Sequence, residues 1–235
     1  MPLKTLFSRA NTMIHVIFDF DEVIGHFYEL SALFHEITSR RRLSREERLD
    51  ILEALVTTHP TSNCIRPGIV GLFEVLAALR NLGYCRIGIY TNNNGGRTWV
   101  DHMVGVLDRV VGEPIFDNVV YEYGASRLRT TPEKTYPDLL RCINARADDH
   151  IVFVDDLIHP KMVTRGVTYI HVSKYEYTIP SPVLQMIYKI NGIQYRPEYR
   201  PPAAIGLHRY KDHGETLQTL ILREIYQYHC PNRAP

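Results

Sequence analysis

The chain has 235 residues, 45% of them hydrophobic and 23% charged, which suits one ordinary domain with an appendage and excludes a disordered tail. Lys plus Arg number 27 against 26 for Asp plus Glu, and a formal charge of +1 advertises neither a nucleic-acid nor a membrane partner. Cys64, Cys85, Cys142 and Cys230 stand far apart with no CxxC pair, which argues against a zinc knuckle and fits reduced thiols. With no stretch near the roughly 20 apolar residues that span a bilayer, and no secretory signal, the expectation is a soluble cytoplasmic or nuclear protein.

Ile14–Phe18 (IHVIF) is a nearly unbroken apolar run stopped by acids, the pattern of a strand covered on both faces. Gly25–Cys64 reads as a helical pair. Its first helix carries Leu30, Leu33, Phe34 and Ile37 and closes on Arg40-Arg41-Arg42, where cations suit the helix dipole. Its second opens at Ser44 with Glu47 three residues on, a capping box. Ile69, Leu72, Phe73, Val75, Leu76 and Leu79 predict a further helix, with Gly83 just past its end. Strands follow at Arg86–Tyr90, Asn118–Tyr121, Ile151–Val154 and Val167–Val172, with amphipathic stripes from Trp99 to Val110 and from Tyr136 to Ile143 between them.

From about Ser173 the chain is rich in Tyr and Pro, and the prolines of Tyr195–Pro202 forbid a helix or central strand. A last helix is expected around Glu215–Tyr228. The alternation predicts a doubly wound α/β fold with a mainly parallel sheet. Residues 1–24 and 65–172 would form its core, 25–64 a small helical cap-like insert, and 173–235 a C-terminal extension.

The residues with chemical potential fall where apolar runs end. Asp19 and Asp21 follow the first strand two residues apart, so an extended chain points both carboxylates to one side. Such a pair suits a divalent cation, or a division of labour between nucleophile and acid/base; a solvated acidic turn is the plain alternative. Asp155 and Asp156 end the Ile151–Val154 strand, and if the two strands are neighbours, Asp19, Asp21 and Asp155 converge. Carboxylates that close repel unless a cation or a shared proton intervenes, and hard oxygen donors favour Mg²⁺ over zinc. The second strand ends in Thr91, then Asn92-Asn93-Asn94-Gly95-Gly96, a loop able to receive an anion or simply to turn. Lys134 can offset a phosphate's charge, though a lone lysine is commonly a solvated one. Arg127 and Arg129 read as solvated loop residues, with a grip on a substrate's remote anion as the alternative, and His26 as either a packing residue or a substrate contact.

In this order the pieces resemble the haloacid dehalogenase-like (HAD) hydrolases over residues 13–172. IHVIFDFDEVI is similar to their first motif, an apolar strand followed by DxDx(T/V); IGIYTN is similar to the second, Lys134 stands for the third, and IVFVDD for the fourth. A narrower likeness runs to the phosphatases of the RNA polymerase II C-terminal domain, through DFDE, Arg66-Pro67-Gly68 at a helix start, and IYTN. Val23, Asn92 and Asp156 depart from that branch's Thr, Ala and Asn.

The resemblance implies a HAD-like Rossmannoid phosphatase. Asp19 would be the nucleophile that becomes an aspartyl-phosphate, and Asp21 the general acid/base, with Thr91 and Lys134 completing the catalytic set. Phe20 and Asn92 would bind substrate. Mg²⁺ would be held by Asp19, Asp155 and, through its backbone carbonyl, Asp21; Asp156 is either a ligand orienter or a structural acid. The implied substrate is phosphorylated: a phosphoprotein, a 3′- or 5′-phosphorylated polynucleotide end, or a small molecule reached through a partly open cap. A HAD-fold binding protein without turnover is the contrasting reading.

Overall fold

The computed structural model describes residues 12–95, 97–194 and 208–230. Five strands, β1 (Ile14–Phe18), β2 (Arg86–Tyr90), β3 (Asn118–Val120), β4 (His150–Asp155) and β5 (Val167–His171), pair in parallel in the order β3-β2-β1-β4-β5. β1 is central and buried at every position, as its unbroken apolar run requires. Side-chain alternation then divides the core. Ile14, Val16 and Phe18 enter the larger cluster, while Ile17 joins Tyr90, Ile151 and Phe153 on the opposite face.

The smaller face is closed by α5 (Tyr136–Ile143), through Tyr136, Leu139 and Ile143. The larger face takes α1 (Tyr28–Ser39), α2 (Arg45–Thr57), α3 (Ile69–Asn81) and α4 (Arg97–Val111). α7 (His208–His229) adds Leu217, Ile221 and Ile225 at intervals of four, one face of a helix. Leu30, Leu33 and Phe34 of α1 and Leu49 and Leu52 of α2 lie in the same cluster as the strands. The capping box at α2 is formed: Ser44 Oγ accepts from Glu47 N–H at 3.2 Å, and Glu47 accepts the Ser44 N–H at 2.8 Å.

The C-terminal extension begins as a strap over the insert. Buried Tyr175 donates its hydroxyl to the Asn63 carbonyl at 2.6 Å, Tyr177 to the Pro60 carbonyl at 2.8 Å, and Ile179 its N–H to Glu29 at 2.6 Å. It continues into α6 (Ser181–Ile190), which the sequence did not suggest. Pro180 and Pro182 sit at its cap and first turn, where a missing N–H costs nothing, so prolines that look like breakers are here an opening. The Tyr195–Pro202 stretch lies outside the described residues.

Strand order reverses at β1, with β2 and β3 on one side and β4 and β5 on the other. Ligands of open parallel sheets bind beyond the carboxyl ends of the strands at that reversal, so the crevice between β1 and β4 is where chemistry belongs. Because the insert shares the main core, Leu30→Ala in α1 and Leu76→Ala in α3 should each lower the unfolding free energy by about 2–5 kcal/mol. Both should do so within a single denaturant transition. An early, separate transition in the Leu30 variant would instead mark 25–64 as an independent unit.

Candidate active site

Register brings the two acidic strand ends together. Phe18 pairs with Val154, and the Asp19 N–H donates to the Val154 carbonyl at 2.8 Å, so Asp19 and Asp155 leave the sheet side by side. Both carboxylates are buried, Asp155 completely. Lys134 enters between them from the loop before α5, its Nζ 2.6 Å from Asp19 Oδ1 and 2.8 Å from Asp155 Oδ2. With 2% of its surface exposed, it is no solvated lysine. The Phe20 N–H also donates to Asp19 Oδ1, at 2.7 Å, which with Lys134 fixes the carboxylate's orientation.

Two buried groups deliver Lys134. Arg129, expected in a solvated loop, is 4% exposed, because its guanidinium donates to the carbonyls of Thr91, Tyr121, Pro132 and Glu133 at 2.9–3.2 Å and lies over the Tyr90 ring. It ties the end of β2 to the loop carrying Lys134. Asp138, in the first turn of α5, accepts the N–H groups of Thr130 and Thr131 and the Thr130 hydroxyl, while the Thr135 hydroxyl caps the helix by accepting the Asp138 N–H. Burial pushes the Asp138 carboxyl up, but these hydrogen bonds and Arg141 hold it below its ordinary range.

Asp21 is half-buried, and its Oδ2 accepts the Asn93 side-chain amide at 2.7 Å. Burial raises its pKa to about 6 against the pull of that hydrogen bond, and the charge of Glu22 adds to the rise. Thr91 lies buried at the end of β2, where its hydroxyl accepts the Asn93 N–H at 2.9 Å; Asn92 next to it is exposed. Thus Asn93 ties the second strand's loop to Asp21. Nothing in the sequence singles it out from Asn92 and Asn94, since only the turn geometry chooses among the three.

The structure refines two expected assignments. The Phe20 ring is fully buried and packed against Phe27, with centroids 4.8 Å apart, so its side chain belongs to the core and only its backbone reaches the site. At the acidic centre, Asp19, Asp155 and Asp156 each offer an oxygen within 4.8 Å of the others, whereas the Asp21 carboxylate is engaged by Asn93 instead. His159, which no sequence motif marks, approaches Asp155 Oδ2 at 3.4 Å. Only its spacing of four residues from Asp155 hinted at this.

The donor set fits a hard divalent cation. Three carboxylates cluster around a site with one ammonium, paired with Asp19 and Asp155, which leaves surplus negative charge. Burial raises Asp19 to about 7; Lys134 opposes the rise, and the charge of Asp155 adds to it. Burial pushes Asp155 up, but the nearby His159, the charge and hydrogen bond of Lys134, and the Leu157 N–H together hold it below its ordinary range. Asp156 is raised by burial first, then by Asp155 and Glu22.

No family model matches the chain, and no curated protein matches it. Among solved structures it is similar to a HAD-superfamily hydrolase of subfamily IA from Geobacter sulfurreducens, at 21% identity over 65% of this chain and 82% of that one, with a TM-score of 0.37. It is also similar to the Legionella pneumophila effector Ceg4, at 12% identity over 78% and 98% of the two chains and a TM-score of 0.45. A third is a HAD-superfamily hydrolase from Ehrlichia chaffeensis, at 15% identity over 75% and 96% and a TM-score of 0.40. None reaches the similarity at which a shared activity follows. Among the described residues no helix is long and apolar enough to cross a membrane.

Lys134→Met leaves two buried carboxylates uncompensated and should cost about 3–5 kcal/mol in urea unfolding above pH 8, part of it recovered by adding Asp19→Asn. In thermal unfolding, Mg²⁺ at 100 times its dissociation constant should stabilise the protein by about 2.7 kcal/mol, a response that Asp155→Asn removes. Asp138→Asn should cost about 1–3 kcal/mol at neutral pH. Because the folded-state pKa of Asp138 is depressed, its ionised form contributes stability above the unfolded value near pH ~4, and the contribution fades as pH falls through the folded value. The gap between wild type and variant should therefore close in acid; a gap constant with pH would contradict the assignment.

Proposed function

We propose that this chain is a HAD-type, Mg²⁺-dependent phosphomonoester hydrolase that works through a phosphorylated Asp19, with a phosphoprotein as its substrate. The observation that carries the reading is the pairing of a buried carboxylate locked against Lys134 with a second one, Asp21, two residues further on. The formal charge of +1 gives no support to a polyanionic partner. Four unpaired cysteines agree with a reducing, intracellular setting.

A carboxylate oxygen of Asp19 attacks phosphorus. The new O–P bond forms as the ester P–O bond breaks, and its electron pair goes to the leaving oxygen, which takes the proton of Asp21. Asp21, now a carboxylate, then accepts a proton from water, whose oxygen displaces phosphate from Asp19 and restores both acids. Lys134 holds Asp19 in position and offsets phosphoryl charge. The Thr91 hydroxyl accepts from Asn93, so its own hydrogen is available to a phosphoryl oxygen, beside the Asn92 N–H. When bound at Asp19, Asp155, Asp156 and the Asp21 carbonyl, Mg²⁺ would supply further charge neutralisation at the phosphoryl group.

A generic aryl phosphate should be hydrolysed only with Mg²⁺, and Asp19→Asn should abolish turnover. Inactivity across a broad phosphate panel would favour a binding protein instead. Comparing a phosphopeptide with 3′- and 5′-phosphorylated oligonucleotides then tests the substrate class, since preference for the strand end would replace the phosphoprotein assignment. The pH profile tests Asp21. Asn93 hydrogen-bonds to its ionised form and holds its pKa down, so Asn93→Ala should raise that pKa above about 6 and move the alkaline limb of kcat/KM to higher pH. A limb that stays in place would remove Asp21 from the role of acid.

A further inference from the structure

Arg66 is 1% exposed, and its guanidinium is spent on the backbone that immediately follows Asp21. Nε donates to the Val23 carbonyl at 2.6 Å, and Nη2 to the Glu22 carbonyl at 2.5 Å and the Ser173 carbonyl at 2.8 Å. Its own N–H donates to the Ile24 carbonyl at 2.9 Å. From the other side, the Tyr175 N–H donates to the Glu22 carbonyl at 2.9 Å, and the Tyr175 ring lies 5.3 Å from the guanidinium carbon.

The turn so gripped is an unusual one. Glu22 sits at φ 57°, a left-handed conformation that non-glycine residues seldom adopt, and its N–H closes the turn on the Gly25 carbonyl at 2.8 Å. Gly25 bridges both Asp21 and Ile65, and a Cβ there would lie 2.3 Å from the Cys64 carbonyl oxygen, so the turn is pressed flat against the chain leading into Arg66. Strain of this kind persists only where the surroundings over-determine it.

We propose that Arg66 is a positioning residue for Asp21: by clamping the Glu22 and Val23 carbonyls to the strap at Ser173, it aims the Asp21 carboxyl at the leaving oxygen as the ester P–O bond breaks. The inference rests on the reading of Asp21 as general acid. Positioning of this kind matters because a misplacement of about 1 Å can cost on the order of a hundredfold in rate. Sequence alone shows Arg66 only as the residue before a Pro-Gly helix start; its reach across to the Asp21 turn is a tertiary fact.

The test is the leaving group. The dinitrophenolate of dinitrophenyl phosphate departs without protonation, whereas the alkoxide of an alkyl ester such as phenethyl phosphate needs a proton from the acid. In Arg66→Met, kcat/KM should fall about 10- to 100-fold on the alkyl ester and less than about threefold on the dinitrophenyl ester, within the range general acid catalysis supplies. Arg66→Lys should recover part of the alkyl activity, and Arg66→Met should add no further alkyl loss to Asp21→Asn. Arg66→Gln, which keeps one side-chain donor and removes the buried charge, should reproduce the selective loss even if Arg66→Met fails to fold. Equal losses on both esters, or losses additive with Asp21→Asn, would overturn the role of Arg66 while leaving Asp21 as the acid. Should Asp21→Asn itself lower both esters alike, the reading of Asp21 fails, and the positioning role with it.

Discussion

An ammonium group buried between two carboxylates is the constraint around which the molecule is arranged. Lys134 lies within 3 Å of both Asp19 and Asp155, and removing three charges from water is costly unless their geometry is held closely. The protein meets that condition with backbone. Parallel register sets Asp19 beside Asp155, Arg129 ties the lysine's loop to β2 through four carbonyls, and Asp138 fastens the same loop to α5. Each of these holds a main-chain position first and a side chain second, which gives the charged centre a fixed shape before any ligand arrives.

The same economy appears in the division of the sheet. One face of β1 faces the small cluster under α5 and the other the large one, so a single strand anchors both layers and ends at Asp19. The turn after it carries Asp21, Glu22 and Gly25 and is held from outside by Arg66 and Tyr175. Asp19 is thus positioned by the sheet and Asp21 by the wrapping, two separate sources of rigidity.

Much of this was legible in the residues, and the reason is local. Unbroken apolar runs ending in acids announce buried parallel strands with polar carboxyl ends, and Ser44 with Glu47 announces a capped helix, because both patterns are read within a few residues. What escaped depends on contacts between distant segments. Arg129 and Arg127 look alike in sequence, yet only one reaches four carbonyls. Asp156 joins the acidic group while the Asp21 side chain turns to Asn93, a choice made by the loop after β2 rather than by spacing. Pro180 and Pro182 open α6 because of their place in its first turn, which composition does not reveal.

The segment after β5 bears on where the functional unit stops. Ser173 shares the Arg66 clamp, the Tyr175 and Tyr177 hydroxyls satisfy carbonyls of the insert, and the Ile179 N–H meets the carboxylate of Glu29, itself mostly buried. A fragment trimmed at Val172, the natural cut for a five-stranded sheet, would strand Glu29 without its donor and open hollows where two aromatic rings had been. The shortest autonomous piece of this protein therefore has to run past Ile179, well beyond its last strand.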